Sequence, residues 1–332
     1  MSTLRQDPTT RQWVILAPRR GERPHTPLSL PRPFQPEREP ACPFCPGNEE
    51  QTPPEIFRDP DGDGWRVRVV PNMYGALVHD GSPTRTGPTM FREMPGVGDH
   101  EVVIESPRHD DRLDAMAQEE VARVIQVWRD RYRDLIARPY VRAVVVFKNF
   151  GAFAGTSLAH AHSQVVATPV FLPRLLRRLD VATRYFDDTG VCVYDDLIEA
   201  EREAGTRIVD ECGRFVAFSP FAAGSPFETW IAPSFHQGSF GELADEDVED
   251  FACILVHVLS AIRATCGDPD YNLVMYSAPI NGHEVLFHWH IKIIPQLTTS
   301  AGFEIGSAMS INTVAPEDAA AALRTALAGE DG

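Results

Sequence analysis

The chain has 332 residues, 43% of them hydrophobic and 23% charged, an ordinary globular composition that excludes a disordered or fibrous protein and suggests about two domains at ~100–200 residues each. It carries 31 Lys and Arg against 47 Asp and Glu, a formal charge of −16, which argues against a nucleic-acid polymer as partner because sequence-independent affinity for phosphates needs a basic surface. Any anionic substrate must be held by a local basic pocket.

The N-terminal MSTLRQDPTTRQWVILAP lacks a basic start followed by an apolar run, and no stretch approaches the ~20 apolar residues of a membrane helix. A cytoplasmic protein with no membrane partner is expected. Arg5, Arg11, Arg19, Arg20 and Arg23 outnumber Asp7 and Glu22 here. Arginine forks hold phosphate oxygens bidentately, so Arg20 and Arg23 are candidates to clamp a diphosphate, against the alternative of a solvated basic tail. Residues 24–60, rich in Pro and charge, suit an ordered but irregular segment. Within it stands Cys42-Pro-Phe-Cys45, where two thiolates can share one tetrahedral Zn²⁺. His109 and His160 are the natural further ligands of a Cys₂His₂ set; a redox pair or two buried thiols are the alternatives. The six cysteines would allow three disulfides in a secreted chain, whereas in a reducing compartment a close CxxC is more often metal-binding or redox-active.

Two stretches then follow the same plan. Strand-like HEVVIESP (100–107) leads to His109, and a helix is expected from about Asp114, with Val121, Ile125, Trp128, Tyr132 and Leu135 on one buried face and Pro139 as its stop. The strand run RAVVVFKN (142–149) and a Gly-containing turn precede His160-Ala-His162-Ser-Gln164. In the second stretch FETWIAP (227–233) leads to His236. A helix with Val248, Phe251, Leu255, Leu259 and Ile262 ends at Gly267, and NLVMYSAP (272–279), a turn at Asn281-Gly282 and His288-Trp-His290 follow. His109 and His160 are 51 residues apart and His236 and His288 are 52 apart. Val121 and Val248 are separated by 127 residues, close to the 128 between the two His-x-His starts. This predicts a duplicated α+β unit, divided into residues 1–175 and 176–332, with 175–215 as the connection. Pro316-Glu317-Asp318 opens a short C-terminal helix.

His160-Ala-His162-Ser-Gln164 runs on into Val165-Val166-Ala167, so the three polar side chains share one strand face. Neutral imidazole suits attack on phosphorus, and its phosphoramidate adduct is labile enough to pass the group onward; an exposed polar face is the plain alternative. Lys148-Asn149-Phe150-Gly151-Ala152 and Ala154-Gly155-Thr156-Ser157 bring small residues and amides near this strand, where glycine lets backbone N–H groups approach a phosphate. No GxxxxGK[ST] is present, so this is not a Walker loop. Cys192, Asp195, His236 and one of the two late histidines are candidates for a second metal site, against a satisfied core cysteine and strand-face histidines.

Together DPTTRQWVILAPRRGERP, CPFCPGNEEQTPPE, VVPNMYGAL, SPRHD, FKNFGAFAGTSLAHAHSQ and FHWHIKIIPQ resemble the galactose-1-phosphate uridylyltransferase family, the transferase branch of the histidine triad superfamily. The resemblance implies two fused histidine-triad-like halves sharing an extended antiparallel sheet with flanking helices, and a homodimer in which the arginines serve the neighbour's site. It implies His162 as the nucleophile, with Gln164 bonding the phosphoryl oxygens. Arg20, Arg23, Asn72, Asn149 and Ser157 would contact the nucleotide or its phosphates, and Cys42, Cys45, His109 and His160 would hold structural zinc. Gln164 stands where triad hydrolases carry a third histidine, and a neutral amide orients a phosphoryl group without activating water.

The activity expected first is UMP transfer by ping-pong between UDP-glucose and a hexose 1-phosphate such as galactose 1-phosphate. Tyr276 stands where the better-known uridylyltransferases have a metal-ligand histidine, and Phe303-Glu-Ile-Gly306 followed by Ser307-Ala308 and Cys192-x-x-Asp195 look more like relatives that act as ADP-glucose phosphorylases. In those, a second Cys-x-x-Cys with residues like His236 and His290 binds a second zinc; here Asp195 stands in place of its second cysteine. Phosphorolysis of ADP-glucose by orthophosphate through the same histidine is thus the alternative, and a zinc-stabilised nucleotide-binding protein without turnover is the remote one.

Overall fold

The apolar stripes predicted for the two long helices settle against one continuous sheet. The structure is a computed structural model that describes residues 1–21, 32–60, 64–279 and 283–330. In chain order its elements are β1 (Thr3–Gln6), β2 (Trp13–Leu16), β3 (Phe57–Asp59), β4 (Val67–Pro71), β5 (Asp99–Ile104), α1 (Gln118–Ile136), β6 (Ala143–Phe150), β7 (His162–Thr168), α2 (Pro173–Thr189) and α3 (Val193–Ala204). They continue as β8 (Ile208–Cys212), β9 (Phe215–Phe218), β10 (Thr229–Pro233), α4 (Val248–Cys266), β11 (Tyr271–Tyr276), β12 (His290–Pro295), α5 (Gly302–Ser307), β13 (Ser310–Asn312) and α6 (Pro316–Glu330). Arg23 and the Asn281-Gly282 turn lie outside the described residues. No described helix is long and apolar enough to cross a membrane.

Ten strands pair antiparallel in the order β3-β4-β5-β7-β6-β11-β12-β10-β9-β8. The order reads the same from either edge: each half contributes two outer strands, then the strand before its long helix, then its His-x-His strand, then the strand after the helix. The halves meet where Phe147 of β6 pairs with Val274 of β11, and those residues in turn pair with Gln164 of β7 and Lys292 of β12. The duplication expected from the histidine spacing is therefore a two-fold arrangement within one α+β sheet. A smaller sheet, β1-β2-β13, packs at one side.

Helices α1 and α4 lie together on one face, where Val121, Ile125, Trp128 and Leu135 join Val248, Phe251, Leu255 and Leu259 in the core over β6, β7, β11 and β12. Helix α1 starts at Gln118 rather than near Asp114. The Asp114 carboxylate is taken by Arg112 at 3.0 Å and Arg263 at 3.1 Å, and the Ala117 N–H donates to Glu120 Oε2 at 3.0 Å, closing the first turn further on. Helix α4 ends as predicted, with Gly267 at φ 71° and its N–H on the Arg263 carbonyl. The stretch expected as a connection between the halves folds into α2, α3 and the edge strand β8; α2 and α3 cover the opposite face beside Trp230 and Phe287.

A buried ion pair between the layers links helix to sheet. Arg131 of α1 donates from Nε and Nη2 to both oxygens of Glu101 on β5, each at 2.7 Å, with both side chains buried. Replacing Arg131 with Met leaves an uncompensated buried carboxylate. It should cost about 3–5 kcal/mol in denaturant unfolding, while Glu101→Leu/Arg131→Met together recover most of that loss.

Candidate active site

Strand alternation divides β7 cleanly. Ser163 and Val165 face α1, where Trp128 Nε1 donates to Ser163 Oγ at 2.6 Å, so His162 and Gln164 point to the other side. There a cavity of about 430 Å³ is lined by His160, His162, Lys148, Asn149, Ser157, Arg32, Arg112 and the 150–153 loop among others. Gly151 and Gly155 take φ of 87° and 90°, and a Cβ on Gly151 would stand 2.0 Å from Asp270 Oδ1. Glycine at 151 is thus required both by the backbone conformation and by the close approach of the next strand's loop.

The His162 Nδ1–H donates to the His160 carbonyl at 2.8 Å. This fixes the tautomer, and Nε2 keeps its lone pair with no partner among the described residues. Burial, reinforced by the positive charge of Lys148, lowers the His162 pKa below its usual 6.5, so the ring is neutral at neutral pH. Lys148 itself is buried, donating to Glu105 Oε2 at 2.6 Å and to the His162 carbonyl at 3.0 Å.

Gln164 is oriented by a residue that sequence reasoning passed over. The Ala76 N–H donates to His100 Nδ1 at 3.1 Å, so His100 Nε2 carries the proton and donates to Gln164 Oε1 at 2.7 Å. The Gln164 NH₂ has no partner among the described residues, and Gln164 lies two positions from His162 on the same face of β7. Asn72 joins them, 3.2 Å from His100 Nε2 and 3.5 Å from Gln164 Oε1. Asn149 is held by Asn272, whose Nδ2 donates to its Oδ1 at 2.8 Å. Of the expected residues the cavity is lined by His162, Asn149 and Ser157, while Gln164 and Asn72 meet at His100, outside that lining. Arg20 does not line this cavity; it sits exposed in the turn Pro18–Arg20 beyond β2.

Cys42, Cys45, His109 and His160 form a buried cluster whose ligand atoms lie within 4.8 Å of one another. Cys45 Sγ is 3.5 Å from His109 Nδ1 and 3.6 Å from His160 Nδ1, and Cys42 Sγ is 3.7 Å from His160 Nδ1. Those are close to the ~3.6 Å edges of a tetrahedron built from Zn–S and Zn–N bonds of ~2.3 and ~2.0 Å. Both outer nitrogens face oxygens: His160 Nε2 on Ser106 O at 2.7 Å, His109 Nε2 on Gln35 Oε1 at 3.2 Å. Each ring therefore presents a bare Nδ1 lone pair to the thiols, the orientation that metal ligation uses. Burial pushes the Cys42 thiol up to about 11, so it stands as a thiolate at neutral pH only with a cation beside it. The donor set fits zinc.

The two-fold counterpart of this cluster gathers Cys192, Asp195 and His236, again within 4.8 Å. Of the two late histidines it is His288 that reaches it, with Nδ1 2.7 Å from Asp195 Oδ1; His236 Nδ1 stands 2.7 Å from Oδ2. Because His236 Nε2 donates to the Glu284 carbonyl at 3.1 Å, its Nδ1 lone pair faces the carboxylate, a contact that a shared proton or cation relieves. His290 takes no part. Its ring is sandwiched between Trp230 at 4.4 Å and Tyr276 at 5.2 Å, and burial drives its pKa well below 6.5. His290, the counterpart of His162, is thus closed off where His162 opens on a cavity, while His288 lines a separate cavity with Asp195 and His236.

Among known proteins, the family model for galactose-1-phosphate uridyl transferase, N-terminal domain, matches residues 1–171, and one for a domain of unknown function matches 98–330. The chain is 38% identical over 328 residues to an ADP-glucose phosphorylase of Arabidopsis thaliana, covering 97% of this chain and 92% of that one. It is 30% identical over 337 residues to a galactose-1-phosphate uridylyltransferase of Thermotoga maritima, covering 98% of each. The crystal structure of an ADP-glucose phosphorylase from Arabidopsis thaliana with bound ADP-glucose superposes with a TM-score of 0.85 at 35% identity, over 98% of both chains.

Proposed function

The chain belongs to the galactose-1-phosphate uridyl transferase family, and from that premise we propose that it is an ADP-glucose phosphorylase working through His162. The observation that carries this reading is the His162 ring, its Nδ1–H fixed on a carbonyl and its Nε2 lone pair without a partner among the described residues, lining a cavity two residues before Gln164. Adenine rather than uracil as the base is supported by the higher identity to the phosphorylase, and by Phe303-Glu-Ile-Gly306-Ser307-Ala308.

In the first half-reaction Nε2 attacks the α-phosphorus of ADP-glucose. The bond from that phosphorus to the bridging oxygen breaks, and its electron pair leaves with glucose 1-phosphate. The adenylylated ring carries positive charge, which the His160 carbonyl stabilises through Nδ1–H; this keeps Nε2 a good leaving group. In the second half-reaction an orthophosphate oxygen attacks the same phosphorus, the P–N bond breaks, ADP departs, and Nε2 regains its lone pair. Gln164 and Asn149 offer amide N–H donors to the phosphoryl oxygens, and Asn72 and Ser157 contact the nucleotide. The Gln164 amide is neither an acid nor a base near neutral pH and cannot activate water, so the adduct waits for phosphate. Zinc held by Cys42, Cys45, His109 and His160 would serve as a structural cross-link; the Cys192, Asp195, His236 and His288 group is assigned to a second ion. The same proposal treats residues 1–175 and 176–332 as two fused units and the working molecule as a homodimer, with Arg20 and Arg23 serving the neighbour's cavity.

Incubation with ADP-glucose or UDP-glucose labelled on the α-phosphate tests the reading. Label trapped from ADP-glucose in an acid-labile adduct and released as ADP by orthophosphate is the expected result. Trapping only from UDP-glucose, with release by a hexose 1-phosphate, would return the uridylyl reading, and no adduct from either would remove both. Because the His162 pKa lies below 6.5, kcat/KM for adduct formation should stay level as pH falls to 6.5 and decline only below it, where protonation occupies the attacking lone pair. An acidic limb centred above 6.5 in the pH-rate profile contradicts the neutral buried ring.

A further inference from the structure

Far from the cavity, the edge strand β8 and the core helix α4 bring four chemically reactive side chains together. Asp210 and Cys212 are two apart on β8 and share a strand face; Cys253 and His257 are four apart on α4 and share a helix face. Cys212 and Cys253 are joined as a disulfide with Cα atoms 6.4 Å apart. His257 Nε2 is 4.0 Å from Cys253 Sγ, and His257 Nδ1 is 2.8 Å from Asp210 Oδ2. The two sulfurs and a nitrogen of His257 fall within 4.8 Å of one another. His257 is exposed and both cysteines are half-buried, so the group is open to solvent.

The orientation of His257 is the informative feature. Its Nδ1–H donates to a carboxylate, leaving the Nε2 lone pair turned toward the sulfurs. A disulfide needs no such neighbour, whereas a carboxylate-oriented imidazole beside two sulfurs is how protein ligands are prepared for a soft divalent cation.

We propose that Cys212, Cys253 and His257 form a redox-gated site for a divalent cation of zinc's class, Asp210 orienting His257, with the disulfide as its oxidised, cation-free state. A dithiol reductant converts the pair: its own two thiols close to a disulfide while the Cys212–Cys253 bond opens to two thiols, two electrons and two protons passing across. The cation then displaces both thiol protons to solvent, binding two thiolates and Nε2 with water in the fourth position. A disulfide-class oxidant reverses this, drawing two electrons from the thiolates and releasing the cation. In either state β8 stays tied to α4, so the fold tolerates both.

The test uses the full chain, reduced anaerobically with a phosphine and titrated with Zn²⁺ against a chromophoric chelator. The reduced wild type is expected to hold one more zinc per chain than either its oxidised form or Cys253→Ser. Asp210→Asn should weaken that extra zinc by about 10–100-fold and His257→Ala by at least as much. The Cys42 cluster and the Cys192 group are common to every sample, so their occupancy cancels and the outcome does not depend on nucleotide transfer. Equal zinc in reduced wild type and Cys253→Ser overturns the proposal. Should Cys253→Ser not fold, unchanged affinity in His257→Ala, altered only at an exposed position, overturns it equally. Substitution with Co²⁺ adds a second reading: thiolate charge-transfer absorption from this site is expected in the reduced wild type and absent from Cys253→Ser.

Discussion

Replacing His162 with glycine should leave a folded protein that no longer transfers nucleotide, with kcat reduced by roughly 10⁴- to 10⁶-fold, the range seen when a covalent nucleophile is deleted from an otherwise intact site. The fold is expected to survive because β7 is held through its backbone by β5 on one side and β6 on the other, and through the Trp128 bond to Ser163. The loss is chemical: Gln164 remains fixed by His100, the glycine loop remains, and nucleotide should still bind. Two measurements check this. Binding of ADP-glucose to His162→Gly should stay within a few-fold of wild type, and α-phosphate label should no longer be trapped. Near-normal turnover in this variant would remove the covalent mechanism altogether, since the other described imidazoles lining the cavity, His109 and His160, turn their lone pairs to the thiols.

The second large effect is expected at Cys45, which is fully buried and touches both histidines of the cluster. Cys45→Ser should lose the metal and destabilise the protein by at least ~3 kcal/mol, because structural zinc contributes its binding free energy to folding. In a chain of this size that corresponds to a melting temperature lower by about 5 °C or more. A second consequence follows from His160, which offers Nδ1 to the cluster while its carbonyl holds His162 Nδ1. Releasing the cation lets that carbonyl wander, so kcat should fall more than KM rises in whatever fraction stays folded. Metal analysis and calorimetry on the same samples decide it; a metal-free wild type of unchanged stability would refute a structural role.

Several elements were legible because their signal is local and periodic. The apolar stripes of α1 and α4, the glycine that ends α4, the proline that opens α6 and the His-x-His strands all rest on spacings of two to four residues. Helix α1 begins after the expected Asp114 because that carboxylate is claimed by Arg112 and by Arg263 from α4. Two further signals were present and unread: Glu105 and Lys148 are charges at the ends of apolar strand runs, and they meet as a buried pair beneath His162.

The sequence by itself determined that two like α+β halves follow one another, that imidazoles stand in pairs on strands, and that thiols and histidines suited to zinc lie at matching places. Only the tertiary structure decided which of these imidazoles open on a cavity. His162 opens on a cavity while His290 is closed between Trp230 and Tyr276, His288 takes the place beside Asp195, and His100 from a neighbouring strand aims Gln164. These outcomes depend on strand register, in which Val102 pairs with Gln164 and so sets His100 diagonally beside it. Register arises from burying many side chains of both halves at once. No short stretch of chain carries that information, because each partner in these contacts is supplied by a segment tens of residues away.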